Sequence, residues 1–248
     1  MIDAGLPVRG FFTTRDGGVS EAPFATLNVA GHVGDEPARV ALNRAQVERE
    51  AAAPVAFLVA EHGARVHFVN DAHAPVPPAD VLVTDVAGIA LAAIGADCVP
   101  LLVHDSATGA VAAAHIGRQG LWAGTVDSAV AALLDIRPSS ASRKLIVASV
   151  GPAICGKCYE VPLALRAQVT ERHPSAMSST RWGTPALDLP RAIETRLAQL
   201  EIGAVVRQRF CTYEDTNFFS HRREGTTGRQ AGVIVCGVSL REGRATGT

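Results

Sequence analysis

Three short apolar segments in the middle of the chain constrain its fold more than any other feature. They are GIALAAIGA, VPLLVH and AVAAAHIG, all within residues 88–117. Each has the length of a strand that is buried on both faces. A membrane span needs about 20 predominantly apolar residues, whereas Gly95, Asp97 and Pro100 interrupt this part of the chain. The segments therefore predict buried strands.

The remaining pattern mixes further strands with helices. Strands are predicted for the segments VRGFFTT, PVAFLVA, RKLIVASVG, AVVRQRFCT and AGVIVCGV. Helices are predicted over residues 37–52, with Asp35 as N-cap, and over the segments LWAGTVDSAVAALLDI, VPLALRAQVTERH and LPRAIETRLAQL. This pattern predicts a mixed α/β protein whose sheets are covered by helices. No repeat or linker-like tract divides the chain, so one domain is predicted over residues 1–248.

Composition excludes several classes of partner. The 248 residues carry a formal net charge of −1, which gives no electrostatic reason to bind nucleic acid or an anionic membrane. The segment MIDAGLPVRGFF lacks the pattern of a secretion signal. Five unevenly spaced cysteines favour free or metal-binding thiols in a reducing compartment over a disulfide framework. We expect a cytoplasmic monomer.

The segment CVPLLVHDSATGAVAAAH predicts a hairpin that brings a thiol and an imidazole together. With a two-residue turn at Ser106 and Ala107, Asp105 faces Thr108 and Cys98 faces His115. Directly opposed residues lie about 5 Å apart at Cβ on the same face of a sheet. Zinc binds Cys sulfur at about 2.3 Å and His nitrogen at about 2.0 Å, so such a pair can share one ion.

The best third ligand is His62 in the segment AEHGARV, at the end of a predicted strand and before a glycine. Two histidines and one cysteine, with the fourth position left for water, form a known catalytic zinc arrangement. Asp97 and His104 are candidates to hydrogen-bond the ligands. The alternatives are ordinary: Cys98 as a small buried apolar side chain, and histidines that are merely hydrogen-bonded.

The chain resembles the YfiH-like family, also described as a multicopper polyphenol oxidase (laccase) domain, purine nucleoside phosphorylase and peptidoglycan editing factor. The resemblance runs nearly end to end, through the segments FFTTRDGGVSEAPFATLNVAGHVGDEPARVALNR, EHGARV, ADVLVTDVAGIALAAIGADCVPLLVHDSATGAVAAAHIG, GPAICGKCYEV and CTYEDTNFFSHRREGTTGRQAGVIV. It implies a four-layer α/β/β/α sandwich with mixed sheets, and zinc ligands at His62, Cys98 and His115.

The reactions that the resemblance implies are zinc-dependent phosphorolysis of adenosine, inosine and methylthioadenosine, and deamination of adenosine. The expected partners are thus a purine nucleoside and phosphate. Copper suits the chain less well than zinc, because a multicopper oxidase needs many histidine ligands and the chain has eight histidines in all.

The chain departs from the family pattern beside the central histidine. The family usually continues His-Ala-Gly-Trp-Arg-Gly, whereas this chain has HIGRQG, with Arg118 at the Trp position and Gln119 at the Arg position. A neutral glutamine lacks the charge and the fork of an arginine for binding phosphate. If these residues continue the strand, Arg118 cannot compensate, because neighbouring strand residues face opposite sides. Smaller departures are Ala60, Gly95 and Lys157.

Several polar residues are candidates for binding phosphate or ribose. They are Arg15, Asn43, Arg44, Arg118, Gln119, Arg222 and Arg229, with Arg223 in the same basic segment. The alternative is a solvated basic loop held by salt bridges. Phe218 or Phe219 could stack on a base, although adjacent aromatic residues are more often core. The CGKC segment lacks a second CxxC pair, so it is interpreted as incidental, with Cys158, Cys211 and Cys236 buried.

Three functions from different classes remain open. The first is a zinc-dependent enzyme acting on purine nucleosides, whose general acid the sequence does not assign, with Asp97 and Glu61 as candidates. The second is a metal-free cysteine hydrolase acting on cell-wall peptides, with Cys98 as nucleophile and His115 as base. The third is a non-catalytic relative that keeps a zinc site, which Gln119 makes credible.

Overall fold

A computed structural model describes residues 1–136 and 140–237, and its strands follow most of the predicted segments. The strands are β1 (Ile2–Asp3), β2 (Gly10–Phe12), β3 (Val55–Phe57), β4 (Val66–Phe68), β5 (Val81–Thr84), β6 (Ala90–Gly95), β7 (Val99–Asp105), β8 (Val111–Ile116), β9 (Ile146–Val150), β10 (Met177–Ser179), β11 (Pro185–Leu187), β12 (Val205–Arg207) and β13 (Gln230–Val235). The three central apolar segments are β6, β7 and β8, and all their residues are buried. Val238, the last residue of the predicted AGVIVCGV strand, and the rest of the C-terminal part of the predicted domain lie outside the described residues.

The strands form two mixed sheets and one small ribbon. The five-stranded sheet has the order β1-β2-β13-β6-β3, and the six-stranded sheet has the order β12-β9-β7-β8-β5-β4. Parallel pairs (β3 with β6, β4 with β5, β12 with β9) occur beside antiparallel ones. The helices are α1 (Pro37–Ala51), α2 (Arg118–Ala123), α3 (Thr125–Ile136), α4 (Leu163–Arg172), α5 (Leu189–Gln199) and α6 (His221–Glu224). The predicted mixed α/β class is confirmed.

Three apolar clusters show how the elements pack. Phe57 of the five-stranded sheet belongs to a cluster with α1. Leu91 and Leu102 belong to a second cluster, between the facing sides of the two sheets. Leu133 of α3 and Ile193 of α5 belong to a third, which covers the outer side of the six-stranded sheet. This packing is compatible with the expected α/β/β/α order, in which buried apolar area provides most of the stability.

The predicted hairpin register is wrong by two residues. Residue numbers of the paired positions in β7 and β8 sum to 215 rather than 213, so His115 lies opposite Pro100. The loop is longer than predicted, because the Asp105 carboxylate accepts hydrogen bonds from the backbone N–H of Ala107 and the hydroxyl of Thr108. Gly109 then takes a φ of 81°, which glycine adopts without strain. A shift of two residues preserves the faces of a strand, so Cys98 and His115 still meet, diagonally.

Two helix predictions also need correction. Glu36, and not Asp35, occupies the N-cap position of α1; the Asp35 carboxylate instead accepts hydrogen bonds from Ser20 and Asn28. The helix predicted from Leu121 to Ile136 is two helices, α2 and α3, divided at Gly124 with a φ of 89°. The break follows from the left-handed conformation of this glycine, which ends α2.

Across residues 1–136 and 140–237, every helix is too short or too polar to cross a lipid bilayer.

Candidate metal centre and active site

The three side chains predicted as zinc ligands converge in the structure. One ligand atom from each of His62, Cys98 and His115 lies within 4.8 Å of the other two. The imidazole rings of the two histidines meet edge to face with centroids 4.9 Å apart. Three elements that are distant along the chain therefore direct one sulfur and two imidazoles at one point.

Asp80 positions both histidines. Its buried carboxylate accepts hydrogen bonds from the backbone N–H groups of Glu61, His62 and Gly63, at 3.2, 2.8 and 2.7 Å. Its backbone carbonyl accepts the N–H of His115 at 2.9 Å. These bonds hold the loop after β3 in a turn where His62 has a φ of 65°, a conformation that few non-glycine residues adopt. The sequence analysis missed Asp80, whose only signal is a lone acid before an apolar strand.

His115 presents one ring nitrogen to the site. Its Nδ1–H donates to the carbonyl oxygen of Ile94 at 2.9 Å, which fixes the tautomer and leaves the lone pair of Nε2 directed at the other ligands. Nε2 is buried and has no hydrogen-bond partner within the described part of the chain. Buried ring nitrogens normally have a hydrogen-bond partner or bind a metal ion, so the unpaired Nε2 favours a metal ion at this position.

Cys98 and Gly117 complete the space for an ion. A Cβ placed on Gly117 would lie 2.9 Å from Cys98 Sγ, 3.4 Å from His62 Cδ2 and 3.8 Å from His115 Nε2. Glycine at this position thus leaves an open space between the three side chains, which we call the cradle. A methyl group on residue 117 would fill it. The orphan nitrogen, the donor types and this cradle together fit a zinc ion with one coordination position left over.

Burial holds Cys98 and His115 in their neutral forms when no cation is present. It raises the pKa of the Cys98 thiol to about 12, and the neighbouring Asp97 charge acts in the same direction. Burial also lowers the pKa of His115 to about 4, helped by the proximity of His62. A thiolate–imidazolium pair is therefore disfavoured here, which counts against the metal-free cysteine hydrolase, because that enzyme needs an activated thiolate.

The ligands open into a cavity of about 350 Å³. His32, His221 and Arg229 also line it. Arg229 donates to the backbone carbonyl oxygens of Thr227 and Gly228, which directs its guanidinium at the cavity from a fixed loop. The volume falls at the lower end of the range for small-molecule sites.

A second cavity of about 150 Å³ adjoins the first at Cys98 and His221. Arg118 and Arg222 line it, and the Arg222 guanidinium lies 5.1 Å from the ring centroid of Tyr159. Residues 118–123 form α2 and do not extend a strand, so the alternation expected between Arg118 and Gln119 is wrong. Arg118 faces the cavity, whereas Gln119 is exposed and outside its lining. An arginine is therefore present at the site despite the glutamine.

Other predicted substrate residues lie away from both cavities and hold the protein together. The amide of buried Asn43 donates to Ser20 and to the backbone of Thr26 and Asn28. Arg15 pairs with Glu224 at 2.9 Å, and Arg44 donates to the carbonyl of Val29. These contacts are structural, and the substrate roles predicted for these three residues stay predictions.

Several further candidates are bound elsewhere. Arg223 donates to backbone carbonyls of residues 212, 213 and 218. Phe218 and Phe219 are 1% and 0% exposed, so neither is available to stack on a base. Glu61 is exposed and pairs with Arg65 at 3.2 Å.

The residues expected to hydrogen-bond the ligands are also different from those predicted. Asp97 accepts from the Thr212 hydroxyl and the Arg222 N–H, each at 2.7 Å, and so joins the loop before β7 to α6. His104 lies six residues further along β7, about 20 Å from Cys98, which rules it out. The groups that do hold the ligands are Asp80 and the Ile94 carbonyl.

The sequence analysis also missed three residues that line the cavities: His32, His221 and Tyr159. Tyr159 follows the CGKC segment directly, and His221 precedes the arginines of the basic segment. For Tyr159 and His221, the position beside residues already singled out was the available signal in the sequence.

Fold and site define a mixed α/β protein in which two histidines and one cysteine converge as candidate metal ligands. Residues 9–237 match the family described as multi-copper polyphenol oxidoreductase laccase. The chain is 43% identical over 228 residues to a Streptomyces coelicolor protein named purine nucleoside phosphorylase, an alignment that covers 90% of this chain and 93% of that one.

Solved structures agree with this match. A Neisseria meningitidis protein superposes with a TM-score of 0.86 at 33% identity, covering 95% of this chain and 98% of that one. The Bacillus licheniformis protein YfiH gives a TM-score of 0.81 at 30% identity, covering 92% of each chain. The chain belongs to the multi-copper polyphenol oxidoreductase laccase family, and its predicted YfiH-like character is confirmed.

Proposed function

We propose that the protein is a zinc-dependent purine nucleoside phosphorylase. The observation that carries the proposal is the convergence of His62, Cys98 and His115 around an open cradle at the wall of a cavity. Two arginines line the adjoining cavity. The name of the Streptomyces coelicolor relative supports the same reaction. Five free cysteines in the described residues also support a reducing compartment such as the cytoplasm.

The two adjoining cavities suggest how the substrates divide between them. Arg118 and Arg222 carry the charge that phosphate requires, and their cavity has Tyr159 as an aromatic wall. The larger cavity, with His32 and Arg229, would take the nucleoside. Zinc, when bound, would supply a Lewis acid that polarises an oxygen of the substrate.

Phosphorolysis forms a bond between a phosphate oxygen and C1′ of the ribose, and it breaks the bond from C1′ to the purine nitrogen. The departing purine must receive a proton. His221 lines both cavities and its Nδ1–H donates to the Gly225 carbonyl at 2.6 Å, which leaves Nε2 free to carry that proton. It is a better candidate than Asp97 or Glu61, whose carboxylates are bound elsewhere.

Replacing Cys98 tests the proposal. We expect purified protein to contain zinc and to cleave inosine only when phosphate is present, and the Cys98→Ala variant to lose inosine cleavage and to contain one zinc ion fewer than the wild type. Cys236→Ala is the matched control, because Cys236 is a buried thiol outside the ligand set. A Cys98→Ala variant with the zinc content of the wild type and with undiminished inosine cleavage would exclude the proposed function.

The same variants assayed with adenosine as substrate separate the other reactions. Adenosine deamination, which the resemblance implies, would use the same ligands and yields inosine rather than adenine, so product analysis distinguishes it from phosphorolysis. A non-catalytic zinc protein would keep the metal while nucleoside turnover stays at the level of the Cys98→Ala variant.

A further inference from the structure

A second cluster of ligand atoms lies apart from the candidate active site. Cys155, Cys158, Cys211 and Glu214 each place one ligand atom within 4.8 Å of the other three. The sequence shows only the CGKC half of this cluster. The structure adds the CTYE segment, whose first and last residues have the same spacing as the two cysteines.

The two segments form matching turns. The backbone N–H of Cys158 donates to the carbonyl of Cys155 at 2.9 Å, and that of Glu214 donates to the carbonyl of Cys211 at 3.1 Å. Turns of this kind direct the first and fourth side chains to one side, as the C-x₂-C turns of structural zinc sites do. A bridge between Ala153 and Cys211 holds the two turns side by side.

A hydrogen-bond donor and a positive charge lie beside the sulfur atoms of this cluster. The backbone N–H of Cys155 donates to Cys211 Sγ at 3.3 Å. Cys158 Sγ lies 3.2 Å from Glu214 Oε1. The Arg181 guanidinium contacts Glu214 and lies 3.9 Å from Cys158 Sγ, so it would offset the negative charge of three thiolates and a carboxylate around a divalent ion.

An ion can reach the cluster from solvent. Cys155, Cys211 and Glu214 line a cavity of about 280 Å³ that opens to solvent on the side of β12. Cys158 is buried and does not line this cavity.

We propose that Cys155, Cys158, Cys211 and Glu214 form a second metal site, which binds a structural zinc ion. Three sulfurs and one carboxylate oxygen fill the four positions of tetrahedral zinc, so this site leaves no position for a substrate. The ion joins the loop after β9 to the loop after β12. Both loops hold Asp97, through the Ile154 N–H and the Thr212 hydroxyl, and so support the residue next to Cys98.

Metal counting on the purified, reduced protein tests this proposal independently of the proposed function. We expect two zinc ions per wild-type chain, one in Cys98→Ala, one in Cys158→Ser and none in the double variant. Cys236→Ser is the control for loss of a buried cysteine, and we expect it to keep both ions. A Cys98→Ala protein without zinc would overturn the second site, whereas a Cys158→Ser protein without any zinc would contradict the first.

Cobalt substitution gives a readout that survives if Cys158→Ser fails to fold. Cys98→Ala protein stripped of zinc and refilled with Co²⁺ should show thiolate-to-cobalt charge-transfer absorption, because only the second site then offers cysteine ligands. Absence of that absorption overturns the proposal. So does a thiol count showing that two of the three cysteines stay joined as a disulfide under reducing conditions.

Discussion

At the scale of single residues, the positions of the Arg118 and Gln119 side chains decide whether the site has an arginine, as the sites of its family do. The sequence places a neutral residue where the family has an arginine. The structure places the neighbouring arginine in the cavity beside Cys98 and the glutamine on the surface. A positive charge is therefore kept beside Cys98 by a change of one position along a helix.

Replacing Arg118 with glutamine should weaken the use of phosphate. A hydrogen bond to a charged group contributes about 1.5–3 kcal/mol, so we expect kcat/KM for phosphate to fall roughly 10- to 100-fold while zinc content is unchanged. Steady-state phosphorolysis of inosine at varied phosphate measures this. Gln119→Ala is the neighbouring control, and an equal loss in that variant would refute the assignment of Arg118.

At the scale of secondary structure elements, the junction of β8 and α2 brings strand, helix and ligands together. Gly117 occupies the N-cap position of α2 with a φ of −86°, a conformation that alanine also adopts. Its importance is the space that it leaves between Cys98, His62 and His115.

Gly117→Ala should therefore impair metal binding with little effect on the fold. We expect zinc affinity to fall roughly tenfold or more, since disturbing the surroundings of metal ligands typically costs 10- to 100-fold. Competition with a chelator measures the affinity. Gly31→Ala is the matched control, because a Cβ there meets no described atom within 4 Å. Unchanged affinity in Gly117→Ala would mean that the ion does not occupy this cradle.

Periodicity predicted most elements, and the hairpin pairing together with the position of His62 predicted the three residues that converge, but other side-chain contacts over long distances could not be predicted. The apolar runs identified β6, β7 and β8, because buried strands need continuous apolar sequence. The register of β7 and β8 depended on two hydrogen bonds of Asp105, which no periodicity reveals. The roles of Asp80 and His221 arise only when distant segments meet, and the CTYE half of the second cluster lies more than fifty residues after CGKC.

At the scale of the whole molecule, buried histidines link stability to pH. The unfolded chain protonates His115 near its ordinary pKa of 6.5, whereas the folded chain does so only near 4. Protons therefore bind more readily to the unfolded state between these values, and the folded state loses stability as the pH falls through this range.

Metal-free protein should become less stable below about pH 6.5, by on the order of 3 kcal/mol from His115 alone when the pH reaches 4. Urea unfolding of chelator-treated protein between pH 7.5 and 4 measures the change. Burial also lowers the pKa of His104, so part of the slope will remain in any single variant. His115→Gln should nevertheless show a shallower slope than the wild type, and identical slopes would contradict the buried, neutral state of His115.

The position of β13 has a consequence for how the protein is made. Among the described residues this strand is the last in sequence, yet it lies inside the five-stranded sheet, between β2 and β6. During synthesis, the edges of β2 and β6 that pair with β13 stay unpaired until residues 230–235 have left the ribosome. Until then the strand that joins β2 to β6 is missing, and the nascent chain exposes apolar strand edges that other chains can pair with.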